Sequence, residues 1–173
     1  MNTIPFEIVR ARAEDAAALL EYLKIIGGET DNLSFGAEGV PLGVEAEADY
    51  LRAQCDSPDN VQYLAKVSGE IIGTASLNRK PNRMRHRGVL GISLKRAWWG
   101  CGAAGALMEA ILAFARANGF EQLNLEVRSS NARAIRLYEK YGFRKLCTFP
   151  NFFKLNGAYI DFDLMNLELG TEP

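Results

Sequence analysis

The chain has 173 residues, of which 48% are hydrophobic and 24% are charged, and its formal net charge is −1. This length and composition are typical of one soluble globular domain with a substantial core, predicted to span residues 1–173. The charge balance argues against a nucleic acid partner. The apolar stretches are too short to cross a bilayer, which argues against a membrane partner.

Two features of the sequence bear on the cellular compartment. The N-terminal run Met1-Asn-Thr-Ile-Pro-Phe-Glu7 has neither a basic start nor a long apolar segment, so no signal peptide is expected. The three cysteines, Cys55, Cys101 and Cys147, are far apart and odd in number. This spacing argues against a disulfide framework and against a zinc site, and it favours a reducing cytoplasm.

Apolar periodicity predicts seven strands and four helices. In chain order the predicted elements are a strand at 6–10, helices at 13–26 and 44–54, strands at 61–67, 70–77 and 89–94, a helix at 103–117, a strand at 121–127, a helix at 131–140, and strands at 145–149 and 160–168. Gly27-Gly28 is expected to end the first helix, Ser68-Gly69 to form a hairpin turn, and residues 29–43 to form a loop. This order of elements predicts an α+β domain.

The most informative segment is a glycine-rich turn between a strand and a helix. An apolar run ends at Leu94, the turn Trp99-Gly-Cys-Gly-Ala-Ala-Gly105 follows, and a helix of small and apolar residues begins at Ala103. Glycines let a ligand approach the backbone closely, and the first N–H groups of a helix have no partner within the helix. Together with the helix dipole, these groups form an anion site suited to phosphate. The turn therefore predicts a phosphorylated cofactor.

A second segment, Asn131-Ala-Arg-Ala-Ile-Arg-Leu-Tyr-Glu-Lys-Tyr-Gly-Phe143, begins where a predicted strand has ended. Asn131 is a favourable helix N-cap, and Ala134 and Tyr138 lie four residues apart on one helix face. The pattern Asn-x-x-Ala-x-x-Leu-Tyr-x-x-x-Gly-Phe resembles the C-terminal signature of the GCN5-related N-acetyltransferase (GNAT) family. The glycine turn resembles the same family's pyrophosphate loop, Arg/Gln-x-x-Gly-x-Gly/Ala, with Trp99 in place of the Arg or Gln and Ala104 as the second small residue.

The resemblance covers roughly residues 61–145 and implies an α/β (α+β) GNAT-like domain. It implies a mixed, mostly antiparallel sheet of about six to seven strands with about four flanking helices. The sheet is expected to splay between the strand ending at Leu94 and the strand at 121–127, where the cofactor binds. The implied cosubstrate is acetyl-CoA, without a metal. The implied cofactor-binding residues are Leu94, Trp99, Gly100, Cys101, Gly102, Ala103, Ala104, Gly105, Asn131 and Tyr138.

The resemblance also implies direct attack of an amine on the thioester in a ternary complex. Backbone N–H groups of residues 100–105 would hold the pyrophosphate, and the strand ending at Leu94 would pair with the pantetheine arm and donate an N–H to the oxyanion. Tyr138 would protonate the thiolate, because a phenol with a pKa of about 10 keeps its proton at neutral pH. Glu126 is the first candidate for the general base, since its run resembles that of ribosomal-protein N-terminal acetyltransferases. Ordered water is the alternative base.

Strand alternation predicts that Glu126 faces away from Leu125 and Val127. Other interpretations of these residues stay open. The spacing of the glycines in the turn also matches the dinucleotide-binding motif Gly-x-Gly-x-x-Gly. Tyr138 could serve only as a core aromatic, and Asn131 only as a helix cap.

The roles of Cys101 and of the basic segment of residues 79–87 each have two interpretations. Cys101 has either a thiol pKa lowered by the helix N-terminus or no role beyond fitting the turn. His86, the single histidine, lies among the basic residues of 79–87. This basic segment is either a solvated hairpin or a contact for the cofactor's 3′-phosphate or for an acidic acceptor.

The acceptor is expected to be an amine-bearing molecule. Acidic and aromatic residues of the first helices, their loop and the last hairpin would suit a cationic amine by charge complementarity, or are ordinary solvated charges and core aromatics. These residues are Glu29, Asp31, Phe35, Glu38, Glu45, Glu47, Asp49, Phe149, Asn151, Phe152, Phe153, Tyr159, Asp161 and Asp163. The favoured function is acetyl-CoA-dependent N-acetylation of a primary amine on a small molecule or peptide. The alternatives are a ribosomal-protein-type N-terminal acetyltransferase, a non-catalytic acyl-CoA-binding module and a nicotinamide-dependent enzyme, and a homodimer is the alternative to a monomer.

Overall fold

Seven strands in one sheet and four helices make up residues 5–170, the part of the chain that this computed structural model describes. The strands are β1 (Glu7–Arg10), β2 (Asn60–Val67), β3 (Glu70–Arg79), β4 (Arg87–Leu94), β5 (Gln122–Arg128), β6 (Arg144–Leu155) and β7 (Ala158–Glu168). The helices are α1 (Ala16–Glu29), α2 (Val44–Gln54), α3 (Ala103–Ala117) and α4 (Ala132–Lys140). The predicted fold class is confirmed.

The sheet has the order β1-β2-β3-β4-β5-β7-β6, and its one parallel pair among the described strands is β4 with β5. That pair is in register over three positions only, from Arg87 opposite Gln122 to Val89 opposite Asn124. Beyond Val89 the two strands diverge, although β4 stays paired with β3 as far as Leu94. The predicted splay is therefore confirmed, and it opens the sheet at its centre.

Each face of the sheet carries its own hydrophobic core. On one face, Leu107, Met108 and Ile111 of α3 are fully buried against β2 to β5. On the other face, α1 and α2 pack on Leu64 of β2 through fully buried or nearly fully buried side chains such as Tyr22. The helical spacing of these residues on each helix produces one apolar stripe that faces the sheet. The opening between β4 and β5 therefore has helices on both faces.

Helix α1 does not end at Gly27-Gly28, so that prediction was wrong. The helix continues to Glu29, and the loop of residues 30–43 folds back onto it. A Cβ atom on Gly27 would lie 1.9 Å from the carbonyl oxygen of Gly36. Glycine is therefore present at 27 because the loop backbone approaches the helix closely, not because the helix terminates there.

Strand β6 is longer than predicted and lies at the edge of the sheet. The expected end near Phe149 corresponds to an irregularity in the pairing with β7 between Phe149 and Phe153, where Asn151 has a φ of 55°. Pro150 is accommodated here because a proline lacks the N–H that a central strand needs, and an edge strand or bulge tolerates this. The hairpin turn at Ser68-Gly69 is confirmed, since both residues have positive φ values of 49° and 84°.

Among the helices of residues 5–170, none combines the length and the apolar character needed to span a bilayer. The expectation of no signal peptide was drawn from residues 1–7, and residues 1–4 lie outside the described part of the chain. That expectation stays a prediction, as does the assignment of residues 1–173 to one domain.

Candidate functional site

A cleft of about 1010 Å³ occupies the opening between β4 and β5. Its walls are the end of β4, the glycine turn and first turn of α3, the end of β5, the first half of α4, and the end of α1 with the loop after it. The predicted site residues among its lining are Leu94, Trp99, Gly100, Gly102, Ala104, Gly105, Glu126, Asn131 and Tyr138. Residues from segments far apart in the sequence therefore meet at one site.

The glycine turn leaves the N-terminus of α3 open toward the cleft. Gly100 and Gly102 have φ values of 86° and 93°, a left-handed conformation that side chains rarely adopt. Gly102 is the N-cap residue and supplies no side-chain cap, so the first N–H groups of α3 are available to an anion. The side chain of Ala103 is fully buried, and that of Cys101 packs against the core. Neither residue is part of the cleft lining, so each is predicted to contribute through its backbone alone.

The end of β4 presents main-chain groups to the cleft. Residues 90–94 line the opening and have lost β5 as a neighbour. The indole Nε1–H of Trp99 donates a hydrogen bond to the carbonyl oxygen of Leu94 over 3.0 Å. An extended, amide-rich ligand would find a strand edge here, as in the addition of a strand to a sheet.

A cation that the sequence analysis missed lies beside the glycine turn. The guanidinium of Arg133, in the first turn of α4, is 4.6 Å from the centre of the Trp99 ring, and both residues line the cleft. Stacking on an indole holds a guanidinium in place while its charge stays available. Trp99 replaces the Arg or Gln of the family pattern, and Arg133 brings a positive charge to the same place. The signal in the sequence was a basic residue two positions after the helix cap Asn131.

Asn131 and Tyr138 belong to α4 and its cap. The side-chain oxygen of Asn131 accepts a hydrogen bond from the Ala134 N–H over 3.2 Å, which shows the predicted cap, and Asn131 also lines the cleft. Tyr138 is 6% exposed and packs against the ring of Phe143. Its hydroxyl has no hydrogen-bond partner among residues 5–170, and burial raises its pKa above the ordinary value of 10. The phenol therefore stays protonated at neutral pH and above.

Glu126 lies on β5 and lines the cleft. Its neighbours Leu125 and Val127 are buried in the core that contains α3, whereas Glu126 is exposed. The predicted orientation is thus confirmed, and the carboxylate is on the face of the sheet that carries α1 and α2. Its role as a base stays a prediction.

The expected acidic acceptor region contributes one residue, Glu29, to the cleft. The Glu29 carboxylate accepts a hydrogen bond from the backbone N–H of Arg96 over 2.8 Å. None of the residues named for the last hairpin is part of the lining. Within the described chain, the hairpin supports the cleft from outside, because β7 pairs with the part of β5 that carries Glu126 and Arg128.

A second cation that the sequence analysis missed, Arg128, lines the cleft at the end of β5. Its guanidinium donates a hydrogen bond to the carbonyl oxygen of Asp31 over 3.2 Å, which connects β5 to the loop of residues 30–43. Nearby, the hydroxyl groups of Tyr22 and Ser93 share a hydrogen bond of 2.9 Å, and Ser93 also lines the cleft. Burial raises the pKa of Tyr22 above its ordinary value of 10.

The basic segment of residues 79–87 is outside the cleft lining. Arg79 forms an ion pair with Asp59 at 2.7 Å and stacks over the Phe120 ring, with 3.7 Å to the ring centre. Arg85 also pairs with Asp59, at 3.0 Å. The carbonyl oxygen of His86 accepts a hydrogen bond from the Glu121 N–H. These contacts join the β3–β4 turn to the segments around it, and a contact between this basic segment and a ligand stays a prediction.

The groups that line the cleft suit a coenzyme A molecule in hydrogen bonding and in charge. The uncapped end of α3 and the guanidinium of Arg133 suit a pyrophosphate, and the free edge of β4 suits an amide-rich arm. Within residues 5–170, no group of three or more histidine, cysteine, aspartate or glutamate side chains is arranged to hold a metal ion. The expected independence from metal stays a prediction.

Known proteins with similar sequences identify the family of this chain. The Acetyltransferase (GNAT) family matches residues 32–143, more than half of the chain. The L-amino acid N-acetyltransferase AaaT of Escherichia coli (strain K12) is 31% identical over 109 residues, which are 61% of this chain and 67% of that protein.

Solved structures extend the similarity to nearly the whole chain. The acetyltransferase of GNAT family from Streptococcus pneumoniae has a TM-score of 0.91 and 29% identity, with 96% of this chain and 100% of that chain covered. The structure of yncA from Salmonella typhimurium with its cofactor acetyl-CoA has a TM-score of 0.84 and 21% identity, with 98% of this chain and 96% of that chain covered. At that lower identity the likeness to yncA shows the fold alone. The chain belongs to the GNAT family of acetyltransferases.

Proposed function

We propose that this protein transfers the acetyl group of acetyl-CoA to a primary amine of a small molecule or peptide, by direct attack in a ternary complex. The observation that carries this proposal is the cleft between β4 and β5, which is lined both by the uncapped N-terminus of α3 and by the buried residue Tyr138. Membership of the GNAT family supports acetyl transfer, and the acetyl-CoA in the yncA structure supports the choice of donor.

The cofactor is held by groups of three elements. The first N–H groups of α3 and the guanidinium of Arg133 bind the pyrophosphate. The free edge of β4 aligns the pantetheine arm, and a backbone N–H near Leu94 donates to the oxyanion. Because β4 remains paired with β3 up to Leu94, this edge is rigid before the ligand arrives.

Two side chains are assigned to proton transfer. Bound acetyl-CoA supplies a thioester, whose C–S bond breaks as the amine nitrogen forms a C–N bond to the acetyl carbon. Glu126 accepts a proton from the ammonium form of the acceptor, directly or through ordered water, because an amine with a pKa of about 10.4 is mostly protonated. Tyr138 donates its proton to the leaving sulfur. A second proton leaves the nitrogen as the amide forms, so one proton ends on the thiol and one in solvent.

The same site admits other functions. A ribosomal-protein-type enzyme would acetylate the N-terminus of a protein with the same groups, and a non-catalytic module would bind acetyl-CoA without releasing thiol. The spacing of the glycines in the turn also matches the dinucleotide-binding motif Gly-x-Gly-x-x-Gly.

The cytoplasm is the proposed compartment, supported by the free thiols of Cys55, Cys101 and Cys147. The molar mass measured by light scattering distinguishes a monomer from a homodimer in solution.

Thermal shift with acetyl-CoA, CoA and NAD tests the choice of cofactor. A ligand that binds only the folded state raises the melting temperature. We expect both CoA species to raise it and NAD to have no effect. A shift with NAD alone would support the dinucleotide interpretation, and no shift with either CoA species would reject the proposed function.

Free-thiol detection across amines, amino acids, aminoglycosides and peptide N-termini tests turnover. We expect acceptor-dependent release of thiol from acetyl-CoA. Release with protein N-termini alone would support the ribosomal-protein-type alternative. Binding of acetyl-CoA without release of thiol for any acceptor would support the non-catalytic module.

A further inference from the structure

We propose that Arg128 binds a carboxylate group of the acceptor, so that the acceptor is a free amino acid and not a simple amine. This inference rests on the proposed function, because it assigns the acceptor of the same site. The observations that carry it are the position of Arg128 on β5, its exposure to the cleft, and the signs of the charges beside it.

Arg128 and Glu126 lie on the same side of β5. Side chains alternate along a strand, and Leu125 and Val127 are buried in the core that contains α3. Glu126 and Arg128 therefore both face the other side, where α1 and its loop cover the sheet. Their Cα atoms are about 7 Å apart, as expected for two residues along a strand. Both line the cleft, so an anion and a cation stand side by side on the acceptor side of the site.

The guanidinium of Arg128 has unused hydrogen-bonding capacity. One nitrogen donates to the carbonyl oxygen of Asp31 over 3.2 Å. An arginine has five N–H donors in a planar fork, and no carboxylate of residues 5–170 forms an ion pair with Arg128. The hydrogen bond to Asp31 fixes the side chain over the loop. The remaining donors match the geometry of a carboxylate, which arginine binds through two parallel hydrogen bonds.

The charges of the cleft favour a zwitterion over a plain cation. A guanidinium next to the reaction site would repel an incoming ammonium group, so a site for a simple amine has no use for it. An amino acid removes this conflict, because its ammonium group faces Glu126 while its carboxylate faces Arg128. The amide of the same amino acid keeps the ammonium group and loses the anion.

A purely structural role for Arg128 predicts different behaviour. If Arg128 only holds the loop of residues 30–43 through Asp31, its replacement would affect all acceptors alike. If it binds a carboxylate, its replacement would affect amino acids and spare their amides. The ratio of the activities with an amino acid and with its amide therefore separates the two roles, because the loss of a purely structural contact would leave this ratio unchanged.

The experiment compares L-amino acids with their amides as acceptors for the wild type, Arg128→Gln, Arg128→Lys and the control Arg116→Gln. Arg116 is exposed in the last turn of α3 and is not part of the cleft lining. We expect the wild type to prefer the acid, and Arg128→Gln to lower kcat/KM for the acid about 100-fold, mainly through KM. The amide should change by less than about threefold. Arg128→Lys should fall between, since it keeps the charge and loses the fork.

A binding measurement separates this inference from the proposed function. The melting temperature is recorded with saturating CoA and added amino acid or amide, without turnover. We expect a further rise with the amino acid for the wild type and no rise for Arg128→Gln. Equal use or equal binding of acid and amide by the wild type would overturn the carboxylate site, as would an equal loss of both in Arg128→Gln. Binding of the amino acid without any thiol release would leave the carboxylate site standing and reject the proposed catalysis.

Discussion

At the scale of single residues, the site depends on a few side chains whose surroundings set their chemistry. Tyr138 is buried and lines the cleft, and its hydroxyl has no hydrogen-bond partner within residues 5–170, as its proposed role of proton donor requires. Arg133 stacks on Trp99 and so places a charge at the turn, and no carboxylate of residues 5–170 forms an ion pair with it. Glu126 projects into the same volume from β5. Three substitutions test these assignments.

Replacement of Tyr138 by Phe removes the proposed acid and keeps the ring that packs on Phe143. We expect kcat to fall about 100-fold or more, while the Kd of acetyl-CoA changes less than about threefold. The control Tyr159→Phe alters an exposed tyrosine outside the cleft and should leave both unchanged. Because burial raises the pKa of Tyr138 above 10, the phenol should cause no fall in the wild-type rate below pH 10. A full rate in Tyr138→Phe would remove this residue from the mechanism.

Glu126→Gln tests the proposed base by removing its charge at nearly constant shape. If Glu126 accepts the proton of the ammonium group, kcat/KM at neutral pH should fall about 100-fold and recover as the pH rises toward the pKa of the free amine. The measurement is the pH profile of thiol release for both proteins. A rate that stays within about threefold of wild type across the profile would assign the proton transfer to water.

Arg133→Gln should weaken cofactor binding. Loss of one charge-assisted contact to phosphate is worth about 1.4 kcal/mol, or about a tenfold rise in the Kd of CoA. The salt dependence of the Kd should also become weaker, which fluorescence titration at low and high salt measures. Arg136→Gln is the matched control, since Arg136 is exposed on the same helix and outside the cleft lining. Equal effects of the two variants would mean that Arg133 acts through general charge only.

At the scale of elements, a buried carboxylate joins the strands beside the cleft. Asp163 of β7 accepts hydrogen bonds from Ser129, which follows β5, and from Thr148 and Lys145 of β6, over 2.7 to 2.9 Å. Burial acts to raise the pKa of Asp163, but these hydrogen bonds outweigh it and hold the pKa below the ordinary value of 3.8. The contact with Ser129 also restrains the segment between Glu126 and Asn131. The same cluster thus stabilises the sheet and positions the strand–helix connection of the site.

Asp163→Asn should lower the free energy of unfolding by about 2 kcal/mol at pH 7, because the donors lose a charged acceptor. The folded-state pKa lies below the unfolded value of 3.8, so the stabilisation is present above that pH and is lost as the pH falls through the folded value. The difference between the two proteins in urea unfolding should therefore shrink below pH 4. Asp56→Asn, an exposed control, should show little effect at any pH. A difference that is constant with pH would contradict this account.

At the scale of the whole molecule, the splay of the sheet creates the site. Pairing of β4 with β3 and of β5 with β7 continues beyond the point where β4 and β5 part, so both walls of the cleft are held from outside. Helices α3 and α4 contribute to it on one face, and α1 with its loop contributes on the other. A donor and an acceptor can therefore approach the same gap from opposite faces of the sheet.

Hydrogen exchange in the presence of acetyl-CoA tests this architecture. We expect slower exchange at the amides of residues 90–94 and 100–106, because these are the groups that the ligand would cover. Helix α2 and the β6–β7 hairpin, whose residues are not part of the cleft lining, should exchange as before and serve as internal controls. Protection confined to the hairpin would place the cofactor elsewhere.

Much of this architecture was predictable because it depends on local patterns. The bounds of α2 and α3 follow directly from apolar spacing and from the glycines before α3. The cap at Asn131 and the turn at Ser68-Gly69 have short-range chemical causes, and both are present. Errors arose where distant contacts determine the local conformation. Residue 27 is a glycine inside a helix because the backbone of Gly36 leaves no room for a side chain there, and β6 continues past Pro150 because it is an edge strand.

The sequence by itself determined the elements, the open N-terminus of α3 and the family, since each rests on residues close together in the chain. Only the tertiary structure decided which charges share the cleft. Arg133 and Arg128 line it, whereas the basic segment of residues 79–87 and the acidic residues of the last hairpin do not. The physical reason is that a charge acts over a few ångströms. The folded sheet, and not the order of residues, determines which side chains come that close.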